Sequence, residues 1–110
     1  METAPRRPTA FEAMDAARHF ADLLREVEYV ERIVLEDADW EGLRLWTVLA
    51  SPAFEDRYGE PVYEAQGQII DALGEPVFDF RVINVNELEG RLEDVLPANG
   101  RVLYERHART

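Results

Sequence analysis

The chain has 110 residues, with 23 acids against 12 bases, a formal net charge of −11 and an apolar fraction of 46%. That length suits one domain, able to bury about two thirds of its unfolded surface in a single core. The charge disfavours phosphate backbones and anionic membranes, the lack of Cys excludes disulfides and thiolate chemistry, and the all-Arg base set excludes a Lys nucleophile.

Residues 1–8 are polar, carry two prolines and read as a flexible start. Thr9 with Glu12 forms a capping box, opening a helix over about Ala10–Val27. Its apolar stripe is Phe11, Met14, Ala17, Phe20, Ala21, Leu24 and Val27, at steps of three or four. Residues 29–37 and 42–51 are rich in β-formers and are separated by the turn-like stretch 37–42. That gap is too short for a crossover helix, so the two strands form a hairpin. The second becomes continuously apolar, which marks a strand buried on both faces.

After a loop at 52–60, Pro61 and Gly74 punctuate a helix over Glu60–Leu73, and Pro76 blocks its continuation. A third strand over Val77–Val85 places Phe78, Phe80 and Val82 on one face and Asp79, Arg81 and Ile83 on the other. Asn86 is expected to cap a short helix over Glu87–Leu96, ended by Pro97. Asn99-Gly100 marks a turn, and 101–106 a last strand before the tail 107–110. The order α-β-β-α-β-α-β implies a single α+β domain over residues 9–106. About four strands form a mixed sheet with helices packed on one face.

Leu73-Gly74, Pro76-Val77, Asn86-Glu87-Leu88 and the run Gly100 to Glu105 stand where comparable motifs stand in the minimal nucleotidyltransferases of the polymerase-beta-like superfamily. In motifs and element order the chain resembles that family. The resemblance implies a nucleotidyltransferase-like sheet, a Gly-Ser after the first strand, and an Asp-x-Asp that holds Mg²⁺ for phosphoryl transfer. Here the only serine is Ser51, the first strand leads into Glu36-Asp37-Ala38-Asp39, and the second reads Leu43-Arg44-Leu45-Trp46. The resemblance therefore implies a non-catalytic relative: a protein-interaction module, antitoxin-like towards a HEPN-type protein or self-associating as a homodimer, with no cofactor. Separately, no apolar run approaches the roughly 20 residues of a membrane span and no signal-peptide segment is present, so a soluble cytoplasmic protein is the expectation.

Two rival readings rest on the residues themselves. In one, Asp37, Asp39, Glu41 and Asp79 gather as a carboxylate cluster for a Mg²⁺-dependent nucleotidyl or phosphoryl transferase. In the other, Arg44 and Arg81, with Arg101 on a third strand, clamp a small anionic ligand. Against each stands a plain structural account: turn acids and surface ion pairs are common without function. The run from Asp37 to Gly42 resembles the start of a calcium loop, but Val48 occupies the position that needs a bidentate Glu. His19 and His107 lack metal-ligand spacing, and Tyr58 and Tyr63 are the aromatics best placed for an exposed contact.

Overall fold

The computed structural model describes residues 10–37, 42–52, 56–74 and 78–106. Thr9, residues 1–8 that were expected as a flexible start, Asp39, Trp40, Glu41, Pro76, Val77, His107 and the tail lie outside them. The elements in order are α1 (Ala10–Leu24), β1 (Val30–Asp37), β2 (Leu43–Leu49), a 3₁₀ turn, α2 (Glu60–Leu73), β3 (Phe78–Asn84), a second 3₁₀ turn, α3 (Leu92–Val95) and β4 (Arg101–Glu105). The fold is α+β, with one mixed four-stranded sheet in the order β3-β2-β1-β4. β1 pairs antiparallel with β2 and with β4, and β2 pairs parallel with β3.

The helices α1 and α2 cover one face. Ala13, Ala17, Phe20, Ala21 and Leu24 of α1 and Val62, Ala65 and Ile69 of α2 share a core with Ile33, Leu35, Leu45 and Phe78. The Phe20 ring lies 5.5 Å from that of Phe80. α1 ends at Leu24, and Val27 instead accepts a backbone hydrogen bond from Val30 at 3.0 Å. Phe11, expected in the stripe, is 80% exposed. At 3.6 residues per turn it stands roughly 120° round the helix from Ala17, and Ala13 takes the buried place. α2 begins and ends where its punctuation indicates. Gly74 adopts a left-handed φ of 79° and donates its N–H to the Ile70 carbonyl at 2.9 Å.

The edge strands β3 and β4 are parallel to each other, since each runs with β2. The connection from 85 to 100 therefore crosses the width of the sheet, about 14 Å at the usual strand spacing. It moves sideways in the opposite sense to the β2–α2–β3 crossover. Both can be right-handed only if they pass over opposite faces. The buried residues bear this out. Val34 and Val48 are nearly inaccessible yet stand outside the α1–α2 core, and Gly100 packs directly on Val34.

The expected helix over Glu87–Leu96 is reduced to the single turn of α3. Gly90 weakens a helix there by about 1 kcal/mol, and the chain needs an extended path to cross. Asn84, not Asn86, is the cap. Its side chain accepts from the Asn86 N–H at 3.1 Å and opens a 3₁₀ turn over Val85–Glu87.

Thr47 is 1% exposed, and among the described residues its Oγ1 has no hydrogen-bond partner. Its row of the sheet, with Ile33, Val82 and Tyr104, faces the helices. Replacing the hydroxyl with a methyl of the same shape removes an uncompensated desolvation cost. Thr47→Val is expected to raise the unfolding free energy by about 1 kcal/mol, read as a higher urea midpoint. Gly100→Ala is expected to lower it by about 1–3 kcal/mol, because the added Cβ would meet Val34 Cγ1 and lie 3.1 Å from Pro97 Cγ.

Candidate functional site

The strand register decides which predicted site residues can meet. Glu36, Arg44 and Asp79 stand side by side across β1, β2 and β3. Asp37, Leu43 and Phe78 form the adjacent row, so Asp37 points to the opposite face from Asp79. Asp37 and Asp79 therefore cannot share one cation. Among the described residues no three His, Asp or Glu side chains group as a metal site.

Asp79 is instead the centre of an ion network. Its Oδ2 accepts from Arg44 Nε at 3.0 Å and from Arg81 Nε and Nη2 at 3.0 and 2.9 Å. Arg44 also donates through Nη1 to Glu36 Oε1 at 3.2 Å, and Trp46 Nε1 donates to the same oxygen at 2.9 Å. The Arg81 hydrogen bonds hold the Asp79 carboxyl below the usual carboxylate range; desolvation opposes them and Arg44 reinforces them. The Asp79 hydrogen bond in turn pushes Arg44 up. Arg44 and Arg81 do converge, but on the chain's own carboxylate. Two guanidinium groups against one oxygen also oppose a divalent cation there.

Ser51 is 2% exposed and is spent on structure. Its Oγ accepts from Asn84 Nδ2 at 2.9 Å, and its carbonyl accepts from Asn84 and Asn86 Nδ2 at 3.2 and 2.8 Å. These bonds fasten the end of β2 to the start of the crossover that leaves β3. Tyr58 is half-buried, edge-on to Tyr29 at 5.1 Å with Arg57 over its ring, whereas Tyr63 is 60% exposed. His19 lies on the solvent side of α1.

The arginines that face open space are elsewhere. A groove of about 450 Å³ runs between α1 and β4, lined by Arg18, Ala21, Asp22, Arg25, Arg101, Val102 and Leu103. α1 and β4 run in the same direction along it. Arg101 Nη1 meets Met14 Sδ at 4.0 Å at one end, and the Tyr104 hydroxyl donates to the Arg25 carbonyl at 3.4 Å towards the other. Arg25 makes a loose exposed pair with Asp22 at 3.6 Å. In sequence Arg18, Asp22 and Arg25 stand outside the apolar stripe of α1, at helical pairing distance from one another. The signal that could have found the groove is spacing: Arg18, Asp22 and Arg25 recur at i, i+4 and i+7, along one flank of α1 and into the turn that follows it.

No protein-family model matches the chain, and no curated protein and no solved structure is detectably similar to it.

Because the folded-state pKa of Asp79 is depressed, its contribution to stability is present above the ordinary value of 3.8 and is lost as pH falls through the lower folded value. Asp79→Asn is expected to cost up to about 1 kcal/mol at neutral pH, since the side chain is 44% exposed. Urea titrations of both proteins should show that gap closing on acidification below the ordinary carboxylate range.

Proposed function

We propose that this chain is a non-catalytic interaction domain, an antitoxin-like or otherwise partner-binding relative of the minimal nucleotidyltransferases. The observation that carries this reading is how its charges are used. Asp79, the acid of β3, is engaged by Arg44 and Arg81, and Glu36 is engaged by Arg44 and Trp46. Carboxylates committed to guanidinium groups are poorly placed to bind Mg²⁺ or to position a triphosphate. The arginines of the α1–β4 groove, by contrast, face open space beside an edge strand.

A net charge of −11 makes close approach of two copies repulsive, so a different protein is favoured over a homodimer. The family resemblance makes a HEPN-type protein the first partner to try. The isolated chain is expected to be a monomer by light scattering and to co-purify stoichiometrically with a partner from its native host. Its melting temperature is expected to stay constant in millimolar Mg²⁺ and ATP. A ligand bound by the native state must stabilise it, so a clear rise in melting temperature, or nucleotide transfer to a protein or nucleotide acceptor, would restore the enzyme reading.

A further inference from the structure

We infer that the α1–β4 groove binds an acidic, extended segment of a partner protein, which adds as a fifth strand along the open edge of β4. This rests on the interaction reading above and names the surface and the partner chemistry.

Three observations carry it. First, β4 is an edge strand, so alternate backbone N–H and C=O groups on its outer side are available to pair with an incoming chain. Second, the charge of the groove runs against that of the molecule. Arg18, Arg25 and Arg101 face a single acid, Asp22, in a chain of net charge −11. An acidic ligand is repelled by the chain as a whole and attracted here, which selects this site. Third, the edge is amphipathic across its two sides. Arg101 stands in the row of Leu35, on the side of α1, whereas Val102, 49% exposed, stands in the row of Val34 on the opposite side.

Apolar side chains interleaved with cations suit a peptide that alternates apolar and acidic residues, since an extended chain sends successive side chains to opposite sides. A small polyanion would use the arginines alone and leave Val102 unengaged. The register irregularity between Ile33 and Val34, where β4 carries an extra residue, limits the added strand to a few residues.

The test uses the full chain and a fluorescein-labelled peptide of about six residues alternating valine and glutamate, followed by anisotropy. A lysine-for-glutamate peptide and citrate serve as the two other probes. The acidic peptide is expected to bind. Its Kd should rise several-fold between about 50 and 300 mM salt, because exposed charges are screened. Arg18→Glu with Arg25→Glu should weaken it by roughly tenfold or more, and Val102→Ser should also weaken it, while Arg91→Glu, at the residue that precedes α3, should not. Amide exchange should slow at β4 amides on peptide addition. Arg18→Gln with Arg25→Gln repeats the measurement with a milder change, and thermal melts confirm that each variant is folded.

Absence of acidic-peptide binding, equal binding of the lysine peptide, or citrate binding more tightly than the peptide would each overturn the inference. So would peptide binding that ignores the arginine variants. A native partner still bound by the charge-reversed variant would sink the groove and leave the interaction function standing; no partner at all would sink both.

Discussion

The handedness of crossover connections shapes this molecule more than any single contact. β1 and β2 form an antiparallel hairpin at the centre of the sheet, and β3 and β4 lie at opposite edges, parallel to β2. Neither edge strand can be reached by a tight turn. Because the two crossovers travel in opposite directions, their shared hand sends them over opposite faces. One carries α2 and completes the helical layer. The other is nearly all loop and covers the second face thinly, burying Val34 and Val48 while Asp79 and Arg81 stay largely in solvent. The ion network sits on this thinly covered face because a row of alternating acid and base stabilises a half-wet sheet surface, whereas the face under the helices is mostly apolar, with Thr47 a buried exception.

The use of arginine alone has structural consequences on both faces. Its planar fork lets Arg44 bridge Glu36 and Asp79 across neighbouring strands through two different nitrogens. A lysine could supply the charge at either position but not that geometry. Arg106 shows the same property in another setting. It donates to the Val30 carbonyl at 3.1 Å and the Val27 carbonyl at 2.8 Å, tying the end of β4 to the link between α1 and β1. These are positioning roles, and they account for arginines that a charge count alone would offer to a ligand.

Most of the architecture was legible in the sequence because its punctuation is strong. α2 carries proline at its first turn and glycine at its left-handed end, so both boundaries could be read to the residue. The hairpin was legible because its linker is short. The segment from 85 to 96 was misread because local signals there favour a helix while the sheet demands a traverse, and no local signal carries that demand. Phe11 was misread because a step of three along the stripe was accepted without following its angle round the helix. At the site, the sequence put Asp79 in a carboxylate cluster and Arg44 with Arg81 in a separate anion clamp, and did not show that the three form a closed set. That depends on a one-residue register, which places Asp79 beside Arg44 and turns Asp37 away. The arginine flank of α1 was visible only as spacing, and it acquires meaning once β4 is known to lie beside it.

The pairing of β1 with β4 has a consequence for how the protein is made. The Arg32–Glu105 contact joins residues 73 positions apart. During synthesis β1 and β2 can pair early, but the outer edge of β1 waits for more than half the chain before β4 reaches it. In that interval Ile33, Val34 and Leu35 present an apolar, unpaired strand edge. Closing so long a loop also makes β4 docking a slow step. The nascent chain is thus most exposed to aggregation after β2 has emerged and before β4 has, and variants that loosen the β3–β4 crossover will reveal themselves first as poor yield.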